Sequence, residues 1–333
     1  MTNKKTSKKI PGFDDLLGES RILPLIRDFV FCDNCVYPVK TNLWENWFPF
    51  AWLAFKKIPR KEVKSFATIG TGSGLDAVGA SNIFSLDTLV LTEVSDKVSL
   101  DVAESNEALR LSNALAYRHF LTGSLCSPLR EKGIKVDLIY ENLPNIPSLK
   151  RKVGGPHQDS QYQSGSFSVS YDHIKPGLLT SLKAYLLESH LALLLDARAS
   201  LNPGGSVICS IGGRVPYHLL QDMVRSAGYT FHELVAGFKV QTEPEEVLPG
   251  YARAEAHGVT FDFYQYDAAV CPLRHYFGLK EPYIDFNGRM LKRLLAPRRI
   301  SAHEALRNYR LDPSYLIGHT VHMIQARKKE YRE

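Results

Sequence analysis

The sequence predicts an α/β protein: a doubly wound, mostly parallel seven-stranded sheet with an antiparallel edge strand, an N-terminal helical lid and a C-terminal helical extension. Three observations predict it. Residues 61–270 alternate short apolar β-type runs with helix-type runs, the mark of crossover units. A glycine loop, Gly70-Thr71-Gly72-Ser73-Gly74, follows the first apolar run and opens a helical pattern. An acidic residue, Glu93, closes the next run.

The elements follow in order. Residues 1–60 form an aromatic-rich helical cap, with Trp44, Trp47, Phe48, Phe50, Trp52 and Phe55 close together. At helical spacing this is core packing or a cover over a site. Strands are expected at Ser65–Ile69, Thr88–Thr92, His119–Thr122, Lys135–Tyr140, Val207–Ser210, Phe231–Val240 and Val259–Tyr266, the last two antiparallel at an edge. Helices are expected from Leu75, over Asp96–Asn106, over Leu178–Ser200 and over His218–Ala227. Asn202-Pro203-Gly204-Gly205 reads as the turn before the fifth strand. Residues 241–258 are too long for a hairpin turn and read as an insertion. Residues 271–333 form a helical extension, with helical patterns at Gly288–Leu295, Ala302–Tyr309 and Thr320–Lys328.

The polar loop at residues 148–172 falls after a strand's carboxyl end, where open α/β sheets bind ligands. A loop of that length is a lid over the site or a surface insertion. Tyr171 and His173 are its candidate site residues, with His157 and the Tyr37-Pro38 pair as further candidates.

Composition narrows the function classes. Hydrophobic residues are 44% and charged residues 23%, ordinary for a globular protein, which excludes a disordered or collagen-like chain. No run approaches the roughly 18 apolar residues of a membrane span. Met1–Lys9 is polar and basic with no apolar core behind it, unlike a secretory signal. The net charge of +6 gathers at the ends, including Arg298, Arg299 and Arg327, and reads as solvated termini. A nucleic-acid binder needs a basic stripe with interleaved aromatics, so nucleic acid is not expected. Five scattered cysteines argue against a disulfide framework and for a reducing, cytoplasmic setting. Cys32 and Cys35 have the spacing of half a zinc site, but no second pair completes it, so no metal is expected. The expected partner is a small-molecule substrate, and a homodimer is compatible with the composition.

The glycine loop suits a ligand that must come close to the main chain. The helix N-terminus adds free N–H groups and partial positive charge. Glu93 lies 19 residues after Gly74, where an acidic residue accepts hydrogen bonds from ribose hydroxyls in doubly wound sheets. Together they make an adenosine-type site. The spacing Gly-x-Gly-x-Gly departs from the dinucleotide fingerprint, and no Gly-Lys-Ser/Thr marks a nucleoside triphosphate loop.

These motifs resemble a family. Phe66–Gly74 is similar to the first motif of class I S-adenosylmethionine (SAM) methyltransferases, and Leu89–Asn106 to their second strand and following helix. Leu121–Leu125 sits where the family has its adenine contact, and Asn202–Gly205 matches its usual turn. Val136–Pro147 is similar to the fourth strand and Asn-Pro-Pro-Tyr loop of amino- and amide-directed members, notably the release-factor glutamine type. The resemblance covers about residues 60–270 and implies a SAM-binding domain there. It implies that Gly70, Gly72 and Gly74 line the methionine part and ribose, and that Glu93, beside Val94, takes the ribose hydroxyls. Ser124 would lie near the adenine edge, and Asn142 and Pro144 would form the floor beside the sulfonium.

The chain departs from that pattern in three places. Thr68 stands where the family has an acid, for which Asp76 could substitute; Ser124 replaces an Asp; and Asn145 replaces the stacking aromatic. Tyr162, Phe167 or Tyr171 from the lid could supply that ring. The resemblance implies a methyltransferase acting on a small amine or amino acid in biosynthesis, with SAM as donor. Its alternative is a SAM-cyclising enzyme similar to azetidine-2-carboxylic acid synthases. A protein or RNA methyltransferase is the third reading.

Overall fold

The computed structural model describes residues 46–72, 74–94, 117–147, 167–277 and 286–328. The expected helix at 96–106, Trp44, Cys32, Cys35, Tyr37-Pro38, Ser73, His157, Tyr162 and most of the 148–172 loop lie outside them.

Five parallel strands form the body of the sheet. β1 (Ser65–Ile69) pairs with β2 (Thr88–Glu93), and β2 with β3 (Tyr117–Thr122). On its other side β1 pairs with β4 (Val136–Glu141), and β4 with β5 (Leu201–Gly212). The order therefore reverses direction at β1, between β1 and β4. The carboxyl ends of strands flanking such a switch point form a natural crevice.

Both faces of the sheet are covered, and the strands divide their side chains between them with period two. Phe66, Leu89, Leu91, Leu138 and Tyr140 join one apolar cluster with α1 (Phe48–Lys56) and α2 (Leu75–Ile83). Ala67, Val90 and Ile139 join the other, with α5 (Glu188–Ala197) and α6 (Tyr217–Ser226). The aromatic segment is therefore core: Phe48, Phe50, Trp52 and Phe55 are buried. Phe55 meets Phe66 and Tyr140 edge to face at 5.4 and 5.2 Å.

The remaining helices are α3 (Ser127–Glu131), α4 (Pro176–Ala184), α7 (Pro244–Glu255), α8 (Tyr266–Phe277), α9 (Gly288–Leu295) and α10 (Ala302–Leu311). The expected single helix at 178–200 is two, α4 and α5, separated where Leu186 turns to φ +61°. The inserted segment 241–258 carries α7. No described helix is long and apolar enough to cross a membrane.

The antiparallel end of the sheet differs most from expectation. The pattern at Thr320–Lys328 is a strand: β9 (Ile317–Lys328) runs antiparallel between β5 and β6 (Tyr229–Val240). Val321 and Ile324, three apart, suggest a helical stripe, but both faces of this strand are covered, so alternation is lost. His319, Thr320, His322 and Gln325 are buried beside Met323 and Ile324. The expected strand at 259–266 shrinks to β7 (Phe263–Gln265), which pairs with the start of β9 and with β8 (Arg299–Ile300). The segment 202–205 is a bulge within β5, between pairs Val136↔Leu201 and Leu138↔Ser206. Two of the basic residues near the ends are solvent-facing, and each pairs with a carboxylate: Arg299 with Asp262 at 3.3 Å and Arg327 with Glu62 at 2.9 Å.

The contact between α1 and α2 depends on a missing side chain. A Cβ on Gly79 would overlap the indole of Trp52, whose Nε1 donates to the Leu75 carbonyl at 3.2 Å. In an ordinary helix Gly→Ala stabilises by about 0.5–1 kcal/mol. Here the sign reverses: Gly79→Ala is expected to cost about 1–3 kcal/mol, as overpacking does, read as a lowered midpoint in urea unfolding.

Candidate functional site

At the carboxyl end of β1 the chain turns through Gly70, Gly72 and Gly74, with φ of +70°, +52° and +80°. L side chains rarely adopt such values, which accounts for glycine at each position. The turn is stitched to β2. The Thr92 carbonyl accepts from Gly70 N (3.1 Å), Thr71 N (3.0 Å) and Thr71 Oγ1 (3.1 Å), and Thr92 N donates back to Thr71 Oγ1 (3.0 Å). Thr68, at the position where the family has an acid, shares a hydrogen bond with Thr71. It serves the turn.

Glu93 closes the other wall. Its carboxylate accepts from Gly72 N at 2.6 Å and from Val94 N at 3.2 Å. Burial pushes the carboxyl pKa up, and these two donors oppose the rise. Each carboxylate oxygen still has a lone pair for a further donor. Among the described residues a Cβ on Gly72 would meet nothing within 4 Å. The loop therefore presents backbone without side chains beside an acidic acceptor. Val94 is 66% exposed and Ser124 is also exposed, so neither is committed to the core.

The loop after β4 crosses the glycine turn: a Cβ on Gly70 would lie 3.8 Å from Leu143 Cδ2. Asn142 is exposed on this loop, and the Pro144 carbonyl accepts from Ser189 Oγ at 3.3 Å. Asn145 points inward, its Nδ2 donating to the Gly212 carbonyl at 2.9 Å. It ties the loop to the end of β5 and does not stand where a stacking ring would. Tyr171 is half-buried with Lys183 over its ring at 5.5 Å, and burial followed by the Glu188 carboxylate pushes its hydroxyl up to about 12. His173 is exposed.

Two features under the loop were not anticipated. Glu141 and His190 are fully buried, with Oε1 and Nδ1 2.8 Å apart. The other Glu141 oxygen accepts from Leu143 N at 2.8 Å, so the pair fixes the loop from below. Asp76, in the first turn of α2, receives the Trp47 indole N–H at 3.2 Å, which ties the end of the aromatic segment to the start of that helix. The sequence carries a signal for both, an acidic residue at a strand end and one at a helix start. Their partners lie 49 and 29 residues away and could not be read.

No cluster of metal-ligating side chains occurs among the described residues. Cys126 and Cys209 are buried thiols; burial pushes Cys126 up to about 12 and Cys209 well above its usual value, which leaves both unreactive. A separate cavity of about 520 Å³ lies beside β6, lined by Lys57, Tyr217, Phe231 and Glu233 among others. Its carboxylate is already satisfied by Gly288 N at 2.6 Å and His322 Nδ1 at 2.8 Å.

No family model matches the sequence, and no curated protein matches it. Solved structures do. A ribosomal protein L11 methylase from Lactobacillus delbrueckii is 20% identical, with 56% of this chain and 70% of that one covered and a TM-score of 0.35. A candidate RNA methyltransferase from Pyrococcus horikoshii is 13% identical over 96% and 100% of the two chains, with a TM-score of 0.45. A candidate methyltransferase, SMU.776, crystallised with S-adenosylhomocysteine, is 11% identical with a TM-score of 0.33; the match covers 54% of this chain but only 38% of that one. At these scores the likeness adds nothing to the strand order and geometry described above.

Asp76 generates a pH dependence. Burial, outweighing the hydrogen bond from Trp47, raises its pKa from 3.8 to about 7. Between those values the folded chain keeps a proton that the unfolded chain has lost, so stability falls as pH rises through the window. Asp76→Asn is expected to remove a few kcal/mol of that fall, about 1.4 kcal/mol for each tenfold change in proton affinity. Urea unfolding of both proteins at several pH values between about 4 and 7 checks this, with parallel slopes as the contrary result.

Proposed function

We propose that the chain is a SAM-dependent methyltransferase acting on a small molecule, an amine or amino acid. The observation that carries the reading is the union of Gly72 and Glu93 at the switch point. There, a side-chain-free stretch of backbone lies against a buried carboxylate, the Gly72 N–H bonded to Glu93 and the Cβ side of Gly72 free of the described residues within 4 Å. That combination suits a nucleoside with free ribose hydroxyls and an extension that must pass close to the main chain. SAM would supply an electrophilic methyl group on a sulfonium.

The chain's own residues do the rest. Gly70, Gly72 and Gly74 leave room along the turn. Glu93 holds the ribose, Val94 and Ser124 flank the adenine, and Pro144 shapes the floor of the cleft. Asn142, exposed on the loop that crosses the glycine turn, accepts a hydrogen bond from the acceptor's N–H and orients its lone pair. Methyl transfer asks for an in-line nucleophile at close range more than for acid–base groups, so positioning is the main contribution. Tyr171 covers the acceptor side from the end of the lid. A small acceptor is favoured over RNA because the sequence shows no basic stripe with interleaved aromatics on the core, and the surface arginines Arg299 and Arg327 each sit beside a carboxylate.

Mass spectrometry after incubation with SAM, alone and with a panel of small amines and amino acids, tests the reading. S-adenosylhomocysteine with an equal amount of methylated acceptor is expected. Methylthioadenosine from SAM alone, with a cyclic amino acid, would instead mean ring closure to azetidine-2-carboxylic acid and would overturn methyl transfer.

Two variants locate the chemistry. Glu93→Ala is expected to weaken SAM binding by about 1.5–3 kcal/mol in calorimetry, the range for hydrogen bonds to a charged group. Asn142→Ala is expected to leave SAM affinity unchanged and to lower turnover at least tenfold.

A further inference from the structure

Arg214 lies two residues past the end of β5 and is only 5% exposed. Four polar contacts hold its guanidinium, all to neutral groups. Nε and Nη2 donate to Gln241 Oε1 at 2.9 and 2.6 Å. Nη1 donates to the Tyr251 hydroxyl at 3.3 Å. Nη2 also meets His319 Nε2 at 3.0 Å. The other ring nitrogen of His319 faces the Thr320 carbonyl at 2.8 Å, so it carries the hydrogen. Nε2 is then an unprotonated acceptor, and the imidazole is neutral. Burial, then the Arg214 charge, keeps it so by holding its pKa well below the usual value. The guanidinium also lies over the rings of Tyr251 and Phe263, at 5.3 and 5.9 Å.

A desolvated cation normally sits against a carboxylate, because leaving it unpaired costs several kcal/mol. Among the described residues no carboxylate pairs with Arg214. The nearby one, Asp262, is engaged by Lys292 and Arg299. Arginine has five N–H donors, and the bonds above use four, leaving one hydrogen on Nη1. That nitrogen lies against Gly212, where any Cβ would overlap it, beside Asn145 Oδ1. The Tyr251 hydroxyl donates to the Asn145 carbonyl at 2.5 Å, linking Arg214 to the loop after β4.

We infer that Arg214 is a substrate-binding residue: its guanidinium receives an anionic oxyacid group, a carboxylate or a phosphate, carried by the acceptor molecule. That the anion belongs to a methyl acceptor rests on the function proposed above. Gln241, Tyr251 and His319 hold the cation in place without neutralising it, and the acceptor supplies the missing negative charge. The aromatic faces provide further stabilisation while the site is empty.

The test uses the whole chain. Thermal unfolding is followed against inorganic phosphate and, separately, acetate, at constant ionic strength. A saturable rise in midpoint with at least one anion is expected, and the stronger of the two tells phosphate from carboxylate. Arg214→Gln is expected to weaken that anion's apparent affinity at least tenfold. Gln241→Glu, nearly isosteric, places a carboxylate against the guanidinium and is expected to do the same while keeping the fold, so it decides the matter where Arg214→Gln unfolds. No saturable response in the wild-type chain, or a response unchanged in the variant that folds, overturns the assignment. SAM affinity, measured in parallel, is expected to stay unchanged in both variants. A chain that binds the anion through Arg214 but not SAM would refute the methyl-transfer reading and leave the anion site standing.

Discussion

One carbonyl oxygen, that of Thr92, holds the cleft in shape. It accepts two backbone N–H groups and a hydroxyl from the glycine turn, and the N–H of the same residue donates back to Thr71 Oγ1. The turn's left-handed residues cannot use the ordinary ladder, so their backbone groups need other partners, and Thr92 and Glu93 supply them. Once the turn is pinned to β2, Glu93 at the end of that strand meets Gly72 N, and Leu143 of the neighbouring loop comes to rest beside Gly70. The open face of the site follows from a pairing on its closed face.

The same economy governs the buried charges. Glu93 is bonded to backbone N–H groups, Glu141 to His190 and Leu143 N, Glu233 to His322 and Gly288 N, and Lys292 to Asp262 and the Gly213 carbonyl. Each is compensated by a group that also sets the path of the chain, so the ionisable groups serve as positioning devices for loops and helix starts. Arg214 differs from the buried cation Lys292, which has Asp262: its partners among the described residues are all neutral. A buried cation with no counter-charge from the described residues suits a group that receives an anion from outside the chain.

Much of the site was legible in the sequence because its signals are local. A strand, a glycine turn and a helix start are contiguous, and Glu93 follows at a spacing set by one crossover unit. The five parallel strands were legible for the same reason, their apolar runs being bounded by turns. What escaped was carried by residues far apart in the chain. Arg214 reads as any arginine after a strand until residues 241, 251 and 319 surround it. His190 reads as a polar break in an apolar helix until it meets Glu141. β9 escaped because a strand covered on both faces keeps no alternation, and its buried histidines, threonine and glutamine find partners only in the folded sheet. The inward turn of Asn145 onto the Gly212 carbonyl also escaped, because a loop motif shows which residue types are present and not which of them turn inward.

The position of β9 has a consequence for how the chain acquires its structure. It fills the space between β5 and β6, strands that leave the ribosome some eighty residues or more before it. Until residues 317–328 have been synthesised, β5 and β6 each offer an unpaired edge that can capture another strand. Closing the sheet brings together segments of high sequence separation, which makes folding slow and exposes a half-built sheet to association. The interval between synthesis of β6 and insertion of β9 is when this protein most needs a chaperone.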